Sequence, residues 1–179
     1  SAVKGIFESI VRIESATIIP TKVEICAPIV HHAYTTNYGG PLRKSESIRK
    51  GASYQLFATV LVNVCYRLYA EPRPLPLNEL PLSDGAKRRI ALVTNRAHAY
   101  QGMFERRLRR GQFYDMPFLG WREFAPNYVG EFRGGTRVCA DINISIPSML
   151  WEVFSSPSHG RVQPTFRPAH IRNGILEYA

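Results

Sequence analysis

Little in this sequence of 179 residues could staple the chain or carry it across a bilayer. Its cysteines, Cys26, Cys65 and Cys139, are odd in number and far apart, and none sits in a C-x-x-C spacing. That argues against both a disulfide framework and a zinc site. No stretch approaches the ~20 apolar residues of a membrane span, and no basic, apolar and small-residue order marks a secretory signal, so a cytoplasmic protein with no membrane partner is expected. The glycine pairs Gly39-Gly40 and Gly134-Gly135 are too short for nucleotide-binding loops, so no nucleotide cofactor is indicated, and with no metal-ligand cluster in the sequence no metal is expected either. Acid is also scarce: 14 Asp and Glu stand against 23 Lys and Arg, a net charge of +9. A polyanion is the natural partner, and arginines set among aromatics fit nucleic acid better than a membrane surface.

With 45% hydrophobic residues the chain has the composition of an ordinary folded domain, able to bury roughly two-thirds of its unfolded surface. Val3, Ile6, Phe7 and Ile10 recur as one face of a helix ending near Arg12. Val23, Ile25, Ala27 and Ile29 alternate in a strand over Thr21–Val30, and His31–Gly51 reads as a long irregular loop. Alternation from Tyr54 to Glu71 predicts one long strand, followed by a stiff prolyl connector to Pro81. Ser83-Asp84 caps a helical stretch over Ala86–Arg110, broken near Asn95 or Gly102 and stopped at Gly111. Phe113–Phe132 reads as short strands and turns, Val138–Ile146 as a strand, and Asn173-Gly174 as the turn of a terminal hairpin. This order is that of a β-α-β-β-α-β unit entered after its first strand. The expectation is an α+β chain with a ferredoxin-like (RRM-like) core over 1–132, its first strand missing, and a β-rich C-terminal extension over 133–179.

Residues with chemistry cluster in three places. In the second helix Phe104 and Leu108 face inward, while Arg106, Arg109 and Arg110 fall within about a 100° arc on the other side. Such a stripe is either a solvated face or one that tracks phosphates. Only Glu105 offsets four arginines, Arg107 included, and like charges so close repel, which favours a polyanion. Tyr38, Arg43, Lys44, Arg49 and Lys50 form a second candidate patch in a Gly-containing loop suited to single-stranded RNA with splayed bases. Arg122 is a third candidate contact, whereas its neighbour Trp121 reads as core. For acid-base work His98 and Tyr100 are the candidates, against the plainer reading that both are ordinary helix residues; His31-His32, on opposite faces of a strand, reads as structural.

The run Met103-Phe104-Glu105-Arg106-Arg107-Leu108-Arg109-Arg110-Gly111-Gln112, followed by Leu119-Gly120-Trp121-Arg122-Glu123-Phe124, resembles the CRISPR-associated Cas-five family of subtype I-C. Ala2–Ile10 resembles that family's first helix, Tyr38-Gly39-Gly40 part of its loop, and Asn173-Gly174-Ile175 its C-terminal ending. The resemblance implies an RNA-binding subunit of a Cascade surveillance complex, holding the 5′ handle of the crRNA beside Cas-seven-type backbone and Cas-eight-type large subunits. It also implies, as an alternative, a metal-independent endoribonuclease acting on precursor crRNA at the repeat hairpin. Cleaving relatives carry a tyrosine at the end of the first helix and a Lys-His pair before the arginine-rich helix. Here those positions hold Val11 and Ala99-Tyr100, so neither keeps its catalytic type.

Overall fold

The computed structural model describes residues 2–12, 15–37, 46, 50, 55–80, 82–154 and 162–178. Helix α1 (Ala2–Ile10) buries Val3, Ile6 and Ile10, spaced three and four apart as the periodicity requires. Strand β1 (Ala16–Ile25) begins before the expected Thr21 and stops short of Val30. The cause is a bulge between Pro20 and Lys22, which resets the alternation: Ala16 and Ile18 point inward before it, Val23 and Ile25 after it. A single alternating pattern therefore misses the strand's first half.

Residues 30–37, expected as loop, form strand β2 (Val30–Asn37), paired antiparallel with β3 (Gln55–Val62) in a two-stranded ribbon. Both faces of this ribbon are largely solvated, so no hydrophobic alternation announced β2. The long strand expected over Tyr54–Glu71 is two strands. Asn63, at φ 54°, breaks the chain between β3 and β4 (Tyr66–Pro74). Strand β4 continues through Pro72 and Pro74, which were expected in a connector. An edge strand tolerates proline because its outward amides need no partner, and the outer edge of β4 pairs with no strand among the described residues.

After a short 3-10 turn come α2 (Asp84–Ala91) and α3 (Arg96–Arg109), separated near Asn95 as expected. Ser83 Oγ accepts from the Ala86 amide and Asn95 Oδ1 from the His98 amide, so each helix starts at a side-chain cap. Gly111, at φ 61°, ends α3, and the Gln112 amide returns to the Arg107 carbonyl at 3.0 Å. The stretch 113–132 is turns, without the short strands expected there. Strand β5 (Ile144–Phe154) starts later than expected, and β6 (Val162–Arg172) and β7 (Ile175–Glu177) make the terminal hairpin. Its turn holds Asn173 and Gly174 at φ 50° and 74°, the left-handed pair that matches strand twist.

The main sheet is antiparallel, in the order β4-β1-β7-β6-β5. Helices α1 and α3 cover one face of it: Ile10, Val11, Ala16, Ile18 and Tyr100 form one buried cluster, and Val3, Val23, Ile25, Ala169, Ile171 and Leu176 another. With β1 and β4 adjacent and antiparallel, α1-β1-β4-α3 is the middle of a β-α-β-β-α-β unit, and the fold is α+β as expected. No helix is long and apolar enough to cross a membrane among the described residues.

Candidate nucleic-acid interface

Helix α3 sorts its side chains by what the sheet offers each face. Phe104 and Leu108 pack on the cluster around Val11, and Phe104 stacks on Phe7 at 5.2 Å. The opposite face carries Arg106, Arg109 and Arg110, all exposed, at the end of the helix where the backbone dipole is negative. With Gly102 they line a shallow concavity of about 420 Å³. On sequence alone Gly102 is a possible helix break. It lies one turn before Arg106 and faces open space, with nothing within 4 Å of where a Cβ would stand. A small residue four positions ahead of an arginine was the available signal.

Among the described residues Arg106 and Arg110 meet no acid, and Arg109 has only Glu131, with Nε to Oε1 at 3.7 Å and both side chains more than 60% exposed. Arg107 differs from its neighbours. Its Nε donates to the Ile10 carbonyl at 2.6 Å and its guanidinium lies 4.0 Å over the Tyr114 ring, so it ties α3 to the end of α1. Lys50 Nζ donates to Glu46 Oε1 at 2.7 Å, an exposed pair one helical turn apart. Tyr38, Arg43, Lys44 and Arg49 lie outside the described residues.

Arg122 is exposed and lies in a turn rather than a strand, where the Leu119 amide reaches the Phe124 carbonyl at 2.9 Å and Gly120 takes φ 89°. The alternation that put Trp121 in the core therefore does not apply. Trp121 is 42% exposed and stacks on Phe124 at 5.6 Å, with Tyr34 of the ribbon edge-on to both. The Tyr34 hydroxyl donates to Glu123 Oε2 at 2.8 Å, which pins this turn to the ribbon.

The two acid-base candidates part company. His98 is exposed in the first turn of α3. Tyr100 is 3% exposed, and its hydroxyl donates to the Val11 carbonyl at 2.8 Å. Burial pushes the Tyr100 phenol well above its ordinary range, so it keeps its proton at neutral pH and cannot serve as a base, while that proton is already given to the Val11 carbonyl. His31 and His32 are exposed on opposite faces of β2. No three His, Cys, Asp or Glu side chains converge as a metal site among the described residues.

No family model matches the chain. A protein of Thermus thermophilus described as "CRISPR pre-crRNA endoribonuclease Cas5d" is 36% identical over 98 aligned residues. Over that stretch this chain is similar to a Cas5d protein. The match covers 44% of this chain and 40% of the Thermus protein, so this chain spans less than half of that relative's length. Two solved structures share the fold across 99% of this chain. One, described as a CRISPR-associated protein, is 17% identical with a TM-score of 0.59 and is covered over 77% of its length. The other, a functionally uncharacterized protein from Streptococcus mutans, is 20% identical with a TM-score of 0.62 and is covered over 78%. The hydrogen bond from Tyr100 to Val11 joins two positions that the sequence resemblance singles out. Val11 is buried and the Tyr100 hydroxyl is already engaged, so neither position presents a free acid or base.

Proposed function

We propose that this chain is the crRNA-binding subunit of a subtype I-C Cascade-type complex. It holds the repeat-derived 5′ handle of the crRNA beside Cas-seven-type backbone and Cas-eight-type large subunits. The observation that carries the reading is the concavity on α3, where exposed arginines with almost no acid facing them present donors along one face. Phosphates would neutralise those cations at spacings a flexible single strand can follow.

Cutting of precursor crRNA is the second reading, favoured by the name of the Thermus relative. Metal-independent cleavage needs a base for the 2′-hydroxyl and an acid for the leaving oxygen. In this chain the Val11 and Tyr100 positions supply neither, and His98 stands alone on an exposed turn. Binding is therefore the primary role. The test incubates the protein with a repeat-derived RNA, a scrambled RNA of equal length, and the repeat carrying a 2′-deoxy substitution at the cleavage site. Tight, salt-sensitive retention of the repeat with all three RNAs intact is the expected result. Equal retention of the scrambled RNA would overturn handle recognition. Cutting in EDTA of the ribo-form but not the deoxy-form would establish the endoribonuclease reading instead.

A further inference from the structure

The cysteines that are distant in sequence are brought together by the sheet. Ile25 of β1 is in register with Tyr66 of β4, so the next rung sets Cys26 opposite Cys65, and the Cys26 amide donates to the Cys65 carbonyl at 2.8 Å. Residues directly opposed on antiparallel strands point to the same face. Both thiols are free and partly buried. Burial and, after it, the neighbouring Cys65 thiol push the Cys26 thiol upward. This rung is also the last before the ribbon leaves the sheet. Residues 27–29 lead into β2, and β3 returns through Asn63, whose φ of 54° turns the chain. Ala27, Pro28, Ile29, Leu61 and Val64 line a narrow cleft beside the pair.

We infer that Cys26 and Cys65 are a redox-active dithiol at the root of the ribbon, oxidised by a small-molecule disulfide to a cross-strand disulfide that fixes the ribbon to the sheet. A hydrogen-bonded antiparallel pair has Cα atoms about 5.5 Å apart, inside the ~4.4–6.8 Å that a disulfide spans. Its Cβ atoms stand about 4.5–5.5 Å apart, whereas a relaxed disulfide wants roughly 3.5–4.5 Å, so the bond closes under some strain. Strained disulfides are easily reduced, which is the property of a reversible device rather than a structural staple. The exchange balances. One cysteine thiolate attacks the small disulfide and releases one small thiol, leaving a mixed disulfide. The second cysteine thiolate then attacks the protein sulfur of that mixed disulfide and releases the other small thiol, each cysteine giving up its proton to solvent or to the departing thiolate.

The third thiol must be silenced for a clean test. The Cys139 amide donates to the Ile25 carbonyl at 2.9 Å, on the other side of β1. The full chain carrying Cys139→Ser is treated with oxidised glutathione, folded and in urea, and followed by intact mass and peptide mapping. The folded chain is expected to lose two hydrogens and to join the Cys26 and Cys65 peptides with at least tenfold less persisting glutathionyl adduct than the unfolded chain. Further substitution of Cys65→Ser should stop the reaction at a glutathionyl adduct on Cys26. Equal shares of adduct and internal link folded and unfolded, adducts persisting at both cysteines, or links only between molecules would overturn the proposal. Amide exchange read on the oxidised form should slow across residues 30–37 and 55–62; unchanged exchange there would overturn the clamping role.

Discussion

Two groups of cations in this molecule have the same chemistry and opposite fates. On the face of the sheet away from the helices, Glu24 is 7% exposed and gathers Lys22 at 2.7 Å, Arg67 at 3.6 Å and the Tyr69 hydroxyl at 3.1 Å. Arg67 also donates to the Thr136 carbonyl at 2.6 Å and lies over the Phe132 ring, although its Nε has no partner among the described residues. At the end of α3, Arg106, Arg109 and Arg110 stand in solvent, and among the described residues their one ion pair is the 3.7 Å contact of Arg109 with Glu131. The first group is consumed by the fold, whereas the second is left over for a partner. Net charge counts both alike, so a charge of +9 points to a polyanion without saying which cations meet it.

The largest test of this contrast reverses the free set. Arg106, Arg109 and Arg110 all changed to Glu should weaken repeat RNA binding by roughly 100-fold at 0.1 M salt, because three phosphate contacts at ~0.7 each remove about 2 from the salt slope. The thermal midpoint should hardly move. An unchanged slope in a folded triple variant would show that these arginines are a solvated face and nothing more.

The buried set should behave the other way. Glu24→Ala leaves Arg67 beside a sheet without its acid, and is expected to cost about 2 kcal/mol in urea unfolding, less than the ~3–5 for a fully buried pair because Lys22 is a third exposed. The Lys22 hydrogen bond, ahead of those from Tyr69 and the Arg67 charge, holds the Glu24 carboxyl below the usual carboxylate range despite its burial. A depressed folded value means the stabilisation is complete above the unfolded pKa of about 4.3 and is lost as pH falls through the lower folded value. Glu24→Gln should therefore flatten the acid limb of the stability profile below about pH 5 relative to the parent chain. RNA affinity corrected for the folded fraction should stay unchanged in both variants.

A smaller effect separates Tyr100 from catalysis. Tyr100→Phe removes the hydrogen bond to Val11 and should cost about 1 kcal/mol, since a buried carbonyl loses its donor. RNA retention at equal folded fraction should not change. A loss of cleavage larger than the loss of fold would restore Tyr100 to the chemistry.

How much of this was visible beforehand depended on whether one local rule governed each segment. Helix α1 and the terminal hairpin were legible because Val3, Ile6 and Ile10 keep one period and Asn173-Gly174 demands one turn. The inward Phe104 and Leu108, with the arginines opposite, were legible for the same reason. Strand β1 was half hidden by the bulge at Pro20–Lys22, and the break at Asn63 was hidden because Val62 and Val64 continue the alternation on either side of it. Arg107 sits within the same run as Arg106 and Arg109; only the tertiary position of the Ile10 carbonyl distinguishes it. The juxtaposition of Cys26 and Cys65 depends on long-range register, which spacing along the chain does not contain.

The smallest expected effect probes Glu131, the acid that ion-pairs with Arg109. Glu131 reaches Arg109 at 3.7 Å with both groups well solvated, a geometry worth about 0–1 kcal/mol at most. If the pair is merely a surface contact, Glu131→Gln should leave the thermal midpoint unchanged. Removing its charge also frees Arg109 and lifts the local potential over the concavity, so RNA binding should tighten by about two- to threefold at 0.05 M salt. That gain should fade at 0.3 M salt, where screening shortens the reach of the lost charge. A gain that persists at high salt would mean that Glu131 blocks RNA sterically, and a loss of affinity would mean that it positions Arg109 for phosphate. Either result would move Arg109 out of the free set and redraw the line between the two groups of cations.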